Sequence, residues 1–323
     1  MTADQAVERE LIVDTDTLGI NDDALALYYL FALGRVPRLV TTVFGNSSAT
    51  ASARHAHGLA GAHALNVEVV AGSEKPLWWE GPLREQVRAA VAALPEATYV
   101  ASLSLGNKHF WDTDAEGGPA PAALAEALRR SRGSDVLALG PTTNIARALD
   151  LLDQLDPSAP QRHRLWISGG STAGGNVTDD AEFNVFADPE ALRRCLSADW
   201  QSVVMVPLEV LELPRLVPAV VDRIRCTATP LGAALDRLER ESPRGDSTER
   251  EPMWDVVAAS VMADRNLPCT LETGTLSVST ELPHRGSIGF RPGTGTHRLV
   301  TGIDPGAVVQ GFETAVSRLE ASR

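Results

Sequence analysis

Short apolar runs alternate with longer amphipathic segments through the first two thirds of the chain. Six runs rich in valine, leucine and isoleucine predict β-strands at 11–13, 39–43, 67–70, 136–139, 165–167 and 203–206. Near-continuous apolar runs separated by helical segments are typical of parallel strands that are covered on both faces. We therefore predict an α/β fold with a Rossmann-like wound, mostly parallel sheet flanked by helices. Short runs between 270 and 300 and a helix from about 305 predict additional C-terminal strands and helices.

The first predicted strand leads into an acidic stretch, LIVDTDTLGINDDALAL at 11–27. Asp14 and Asp16 leave the strand on alternate positions, and Asp22 and Asp23 stand where a helix begins. Carboxylates this close repel one another, so the fold must compensate them with a divalent cation or by protonation. Oxygen ligands favour calcium or magnesium. The alternative for Asp22 and Asp23 is a capping role at the positive end of the helix.

Polar clusters also follow later strands, at the end where wound sheets bind their ligands. FGN stands at 44–46, and the glycine-rich stretch GGSTAGGNVTDDAEFN at 169–184. These glycines lack the spacing of phosphate-binding loops, so the asparagines and Glu182 are more informative. The alternative for Asn176 and Asn184 is that they satisfy loop backbone.

Two irregular stretches, 95–121 and 242–252, predict long loops. Pro252 at the end of the second is predicted in the first turn of a helix, because proline is favoured there. This helix carries Trp254 and Asp255 at its beginning.

Composition narrows the possible partners. The 323 residues carry 29 basic and 42 acidic side chains, a net charge of −13, which disfavours nucleic acid and anionic membranes and leaves a small molecule. The 44% hydrophobic content is sufficient for one domain spanning 1–323. The polar amino terminus, the absence of an apolar run of about 20 residues, and three widely spaced cysteines predict a cytoplasmic protein.

Five motifs, in this order and spacing, resemble the nucleoside hydrolases of the inosine-uridine-preferring superfamily. They are DTDTLGINDDALAL, TTVFGN, GPTTNIARAL, the constellation GG-x5-N-x5-E-x-N followed by DPEA, and WD at 254–255. The resemblance covers nearly the whole chain. It implies hydrolysis of the N-glycosidic bond of ribonucleosides, a tightly bound calcium ion, and a homodimer or homotetramer.

The resemblance also implies roles for individual residues. Calcium would be held by the side chains of Asp16, Asp23 and Asp255 and by the backbone carbonyl of Leu139, with Asp16 as the general base. Asp14 would support this site. The positions that hold the ribose hydroxyls in the family correspond here to Asp22, Asn46, Asn176, Glu182 and Asn184. The loop between Asp16 and Asp22 is two residues longer than the shortest family version.

The base end of the predicted site departs from many family members. Trp254 replaces the histidine that acts as an acid on the leaving base, and the usual His-Gly pair of the middle loop is absent. We interpret His109, the one histidine of that loop, as solvent-facing. Trp254 resembles the purine-preferring branch, in which aromatic rings sandwich the base. The second ring would come from Trp78, Trp79 or Trp111, each of which has core packing as its alternative.

Two other functions remain open from the sequence. Asp14-x-Asp16 after a strand also resembles haloacid-dehalogenase-like phosphatases, although Leu18 stands where that family has threonine or valine. The missing histidines favour a non-catalytic nucleoside-binding protein, and a specialised nucleoside substrate lies between these hypotheses.

Overall fold

A nine-stranded sheet forms the centre of the computed structural model, which describes residues 9–18, 21–80, 84–92, 116–216, 218–225, 232–233 and 251–321. The described strands are β1 Glu10–Thr15, β2 Leu39–Thr42, β3 Glu68–Ala71, β4 Ser134–Ala138, β5 Arg164–Ser168, β6 Ser202–Val206, β7 Arg215–Leu216, β8 Glu251–Pro252, β9 Cys269–Val278, β10 Ile288–Pro292 and β11 His297–Ile303. The order across the large sheet is β10-β9-β11-β6-β5-β4-β1-β2-β3, and β7 pairs with β8 separately.

Helices connect and cover these strands. Those in the described residues are α1 Asp22–Ala32, α2 Ala49–Ala62, α3 Arg84–Ala92, α4 Ala120–Arg130, α5 Thr143–Leu155, α6 Phe183–Ala187, α7 Pro189–Leu196, α8 Leu208–Leu211, α9 Pro218–Arg225, α10 Trp254–Ala263 and α11 Pro305–Ala321. Single 3₁₀ turns lie at Leu77–Glu80 and Ala159–Arg162. Across the described ranges, no helix combines the length and the apolar character needed to cross a membrane.

The predicted α/β fold is confirmed. Strands β1 to β6 form parallel neighbours, and each begins and ends within two residues of its predicted bounds. Side chains of β1 alternate between two hydrophobic clusters, Leu11 and Val13 in one and Ile12 in the other. Because both faces of the sheet are buried, its central strands are apolar throughout.

The C-terminal region adds the predicted strands and helix. β11 joins the sheet parallel to β6, and β9 and β10 form an antiparallel hairpin at its edge. The prediction for Pro252 is wrong, since Pro252 pairs with Arg215 in the β7-β8 ladder and α10 begins at Trp254 after Met253. Proline suits the short edge pairing because it has no N–H to donate. Most of the two predicted long loops lies outside the described residues, at 93–115 and 234–250.

The strand order reverses direction next to β1. The chain passes from β1 to β2 and β3 on one side, and then to β4, β5 and β6 on the other. The connections after β1 and β4 therefore diverge and leave a crevice at the carboxyl ends of these strands. The acidic stretch that follows β1 lies at this crevice.

Candidate functional site

A pocket of about 370 Å³, including space open to solvent, lies at this crevice. Predicted site residues from six separate segments meet there. Those that line the pocket are Asp22, Asp23, Asn46, Leu139, Asn176, Glu182, Asn184, Trp254 and Asp255.

Three carboxylates form an acidic cluster in the pocket wall. Asp22 and Asp23 begin α1, Asp255 lies in the first turn of α10, and the ligand oxygens of all three lie within 4.8 Å of one another. Burial and the charge of Asp23 raise the pKa of Asp22 to about 7. Burial, followed by the charges of Asp23 and Asp22, raises the pKa of Asp255 well above its usual range. The fold therefore brings carboxyl groups together at this point, and the described residues that line the pocket include no basic side chain.

Asp16 stands at the end of β1 and is almost fully buried. Its Oδ2 accepts a hydrogen bond of 2.6 Å from the backbone N–H of Asn46, whereas its Oδ1 has no partner among the described residues. The backbone of Gly45 packs directly against this carboxylate, so that a Cβ atom there would lie 1.9 Å from Oδ2. Burial and the charge of Asp23 raise the pKa of Asp16 well above its usual range.

Hydroxyl and amide groups orient the carboxylates of the cluster. The Thr15 hydroxyl donates to Oδ1 of Asp23, and the Asn21 amide donates to its Oδ2 over 2.8 Å. Ser168 Oγ at the end of β5 donates to Oδ1 of Asp255 over 2.7 Å. Each of these two carboxylates is therefore held in a defined orientation.

Asp14 lies outside the pocket lining and is fully buried. Its Oδ1 accepts hydrogen bonds from the Thr41 hydroxyl over 2.6 Å and from the Asn144 amide over 2.8 Å. The same Asn144 accepts a bond of 2.8 Å from the Ser73 N–H. Burial raises the pKa of Asp14 to about 7. Asp14 therefore belongs to a network that joins the ends of neighbouring strands.

The donor set of this site fits a divalent cation. Several buried carboxylates with raised pKa values converge on one point, and Oδ1 of Asp16 is buried without a partner in the described chain. A cation would offset this charge and satisfy that oxygen. The three carboxylates whose oxygens lie within 4.8 Å of one another are Asp22, Asp23 and Asp255, whereas the predicted ligands are Asp16, Asp23 and Asp255. The division of roles between Asp16 and Asp22 therefore stays a prediction.

Comparison with known proteins identifies the family. The profile of the inosine-uridine preferring nucleoside hydrolase family matches residues 11–310. The chain belongs to this family. The match disfavours the phosphatase alternative, because it assigns residues 11–310, which include Asp14 and Asp16, to a different family.

Relatives of this nucleoside hydrolase family member occur among curated proteins and solved structures. The non-specific ribonucleoside hydrolase RihC of Escherichia coli O1:K1 / APEC is 33% identical over 211 residues, which is 64% of this chain and 64% of that protein. The chain therefore spans less than two thirds of the curated relatives that it matches. The purine-preferring ribonucleoside hydrolase from Gardnerella vaginalis superposes with a TM-score of 0.75, at 21% identity over 98% of this chain and 100% of that chain. The inosine-uridine preferring nucleoside hydrolase from Bacillus anthracis gives a TM-score of 0.70, at 21% identity over 96% and 100%.

The predicted ribose residues of this nucleoside hydrolase fold also bond to backbone. Glu182 caps α6, since its carboxylate accepts from the N–H groups of Gly170, Asn184 and Val185 over 2.7 to 3.2 Å. The Asn184 amide donates to the carbonyl of Leu139 over 2.8 Å. Asn176 Oδ1 accepts from the Phe183 N–H over 3.0 Å. The asparagines thus do satisfy loop backbone, and they line the pocket as well.

The described aromatic side chains test part of the prediction for the base pocket. Trp254 is half-buried and lines the pocket, and its role in binding a base stays a prediction. Trp78 does not line it: its ring is buried, its indole N–H donates to the carbonyl of Ala187 over 2.8 Å, and Arg285 stacks 5.2 Å from its centre. Trp78 is therefore a packing residue. Trp111, His109 and the side chain of Trp79 lie outside the described residues.

Sequence reasoning missed four residues that line the pocket, Ser168, Phe183, Leu208 and Leu211. Ser168 was detectable, since it is a polar residue that ends an apolar strand directly before the glycine pair. Phe183 stands between Glu182 and Asn184, two residues that were predicted. The two leucines of α8 carry no sequence signal, because their pattern is equally typical of core residues.

Proposed function

We propose that this chain hydrolyses the N-glycosidic bond of ribonucleosides, with a preference for purines and a requirement for calcium, and releases free base and ribose. One observation carries the proposal: the acidic cluster and the polar residues at the predicted ribose positions line a single pocket at the strand-order switch. The match to a nucleoside hydrolase family over residues 11–310 supports the same chemistry.

The electrostatics of the pocket suit this reaction. Cleavage of an N-glycosidic bond develops positive oxocarbenium character on the ribose ring. Fixed negative charge that faces the ring stabilises this charge more in the transition state than in the ground state. Asp22, Asp23 and Asp255 supply such charge when ionised. Amide groups of Asn176 and Asn184 have the chemistry to orient sugar hydroxyls beside them.

The side chains of Asp16, Asp23 and Asp255 and the carbonyl of Leu139 are proposed to hold calcium, as the family resemblance implies. An all-oxygen donor set favours a hard cation such as calcium. When bound, the cation supplies a Lewis acid that lowers the pKa of nearby water. Thr15, Asn21 and Ser168 keep the carboxylates turned toward the site through the hydrogen bonds described above.

Asp16 is proposed to take the proton from the attacking water. Its Oδ2 is held by the Asn46 N–H, which leaves Oδ1 as the oxygen that can accept a proton. In the metal-free protein, burial and the neighbouring Asp23 raise the pKa of Asp16 well above the usual range.

The purine preference rests on the aromatic lining. Trp254 and Phe183 both line the pocket, and flat aromatic rings stack on purine bases through dispersion and quadrupole interactions. Phe183 thereby replaces Trp78 as a candidate for the second ring. A purine between two rings has a larger stacked area than a pyrimidine, which favours its binding.

A panel of nucleosides tests the proposal. Inosine, guanosine, adenosine, uridine and cytidine are incubated with the protein and calcium, and base release is followed by chromatography. We expect base release from the purines, with smaller kcat/KM for the pyrimidines. Faster turnover of pyrimidines would refute the preference alone. Tight nucleoside binding without any base release would favour the non-catalytic binding protein.

A further inference from the structure

Asn21 connects the loop after Asp16 to the acidic cluster. This loop is the segment that is two residues longer than in the shortest family version, and Asn21 is its last residue before α1. Its Oδ1 accepts from the Thr17 hydroxyl and from the Ala24 N–H, each over 3.1 Å. Its Nδ2 donates to Oδ2 of Asp23 over 2.8 Å. One side chain therefore joins the start of the loop, the first turn of α1 and a predicted metal ligand.

The two functions of the Asn21 amide are chemically separate. The oxygen caps the helix, which serine or aspartate can also do. The nitrogen holds Oδ2 of Asp23, while Thr15 holds Oδ1 of the same carboxylate. With both oxygens bonded, the Asp23 side chain has one defined orientation, and its remaining lone pairs point in fixed directions. Without the amide nitrogen of Asn21, Oδ2 of Asp23 would lose its hydrogen bond, and the Asp23 carboxylate could rotate.

We propose that Asn21 is a positioning residue that sets the calcium affinity of the site by orienting Asp23, and that Thr17 supports it by holding the Asn21 oxygen. The inference rests on the proposed function, because it requires that Asp23 binds the cation. Groups that hydrogen-bond to ligating carboxylates contribute about 10- to 100-fold to metal affinity in proteins. Through these bonds Asn21 fixes the start of α1 against the predicted metal ligand Asp23.

Substitutions at position 21 separate donation from capping. Asn21→Ser keeps an acceptor for the Ala24 N–H and removes the amide nitrogen that donates to Asp23. Asn21→Ala removes both. Asp304→Ala is the matched control, since Asp304 Oδ1 caps α11 by accepting from the Ala307 N–H over the same 3.1 Å, far along the chain from the acidic cluster. Thr17→Val and Thr17→Ser form a second pair, without and with the hydroxyl.

The dissociation constant for calcium is measured on chelator-treated full-length protein by titration calorimetry with calcium chloride, beside the melting temperature of the metal-free form. We expect Asn21→Ser to weaken calcium binding by about 10-fold or more while it melts near the wild-type temperature. Asn21→Ala should show the same loss of affinity and a lower melting temperature. Asp304→Ala should lower only the melting temperature.

The Thr17 variants test the hydrogen bonds around Asn21 independently. Thr17→Val should weaken calcium binding, and Thr17→Ser should restore it. An unchanged dissociation constant in Asn21→Ser would overturn the inference while leaving the metal site in place. Wild-type protein that binds no calcium would instead overturn the proposed metal site, and the inference with it.

Discussion

At the scale of single residues, Asp16 is the group whose surroundings are most specialised for one reaction. It has one oxygen held by backbone and one buried oxygen without a partner in the described chain. We expect Asp16→Asn to lower kcat by about 10²- to 10⁴-fold, the usual contribution of a general base. The stability of the metal-free protein should not fall, because a neutral amide replaces a buried carboxylate. Steady-state kinetics and thermal melting measure both effects, and kcat within tenfold of wild type would remove Asp16 from this role.

The contact between Gly45 and Asp16 gives a second prediction at this scale. An alanine Cβ at position 45 would lie 1.9 Å from Oδ2 of Asp16, so Gly45→Ala must displace the carboxylate or the strand end. A displacement of about 1 Å in a catalytic group can lower activity by about 100-fold. We expect that loss in kcat/KM.

Gly58→Ala is the control for this substitution. Gly58 lies in α2, and its added Cβ would meet no atom within 4 Å. Alanine in a helix interior is more stable than glycine by about 0.5–1 kcal/mol, so this variant should keep its activity and melt slightly higher. Equal activity of the Gly45 and Gly58 variants would contradict the tight packing of the Asp16 carboxylate.

At the scale of secondary-structure elements, Arg285 joins the tip of the β9-β10 hairpin to the segment that precedes the site. Its buried guanidinium bonds to both carboxylate oxygens of Glu190 in α7, over 2.7 and 2.6 Å, and stacks on Trp78. Trp78 in turn holds the carbonyl of Ala187 at the end of α6. The position of α6, which carries Asn184, therefore depends on this buried ion pair.

We expect Glu190→Gln to lower the free energy of unfolding by about 3 kcal/mol, since it leaves the buried guanidinium of Arg285 without its counter-charge. Glu126→Gln is the matched control. Both carboxylate oxygens of Glu126 also accept hydrogen bonds from one guanidinium, that of Arg129, but this pair is exposed. Exposed pairs contribute little, so that variant should unfold like wild type. Denaturant titration measures the free energy of unfolding of both variants. Equal losses in Glu190→Gln and Glu126→Gln would contradict the importance of burial for the Glu190–Arg285 pair.

Strands and motif residues can be predicted from the sequence, whereas contacts between distant residues cannot. Strands β1 to β6 were predictable because an apolar run reports burial on both faces, and Asp22, Glu182 and Asp255 could be assigned because they follow recognisable motifs. Arg285 carries no such local signal, since its partner Glu190 lies 95 positions away. Trp78 and Trp254 show the same limit. The two residues are chemically identical, and only the tertiary fold determines that one ring packs and the other lines the pocket.

At the scale of the whole molecule, the acidic cluster couples pH, metal and stability. The pKa values of Asp14 and Asp22 are each raised to about 7 by burial. A carboxyl group with a raised folded-state pKa contributes stability that is present below its unfolded pKa and is lost as pH rises through the folded one. The metal-free protein should therefore lose stability progressively as the pH rises from about 4 to about 7, and its stability should level off above that.

His163 changes the pH dependence of folding stability in the opposite direction. Its ring is buried, accepts from the Ser134 N–H and contacts the carbonyl of Leu128, and burial lowers its pKa to about 4. Its contribution is present above the unfolded pKa of about 6.5 and is lost as pH falls toward 4. The effects of His163 and of the acidic cluster therefore have opposite signs and overlap between about pH 4 and pH 6.5, and a comparison with and without calcium at one pH cancels the histidine.

Calcium should reverse this loss of stability at the higher pH values, because its carboxylate ligands must be ionised to bind it. At a calcium concentration 100 times the dissociation constant, binding adds about 2.7 kcal/mol to the free energy of unfolding. This corresponds to a rise of about 5 °C in melting temperature for a chain of this size. We expect that rise at pH 8 and a smaller one at pH 5.5, measured by calorimetry in chelator and in calcium chloride. Sodium chloride at the same ionic strength controls for screening. A melting temperature with the same pH dependence in chelator and in calcium would show that the buried aspartates do not form the metal site.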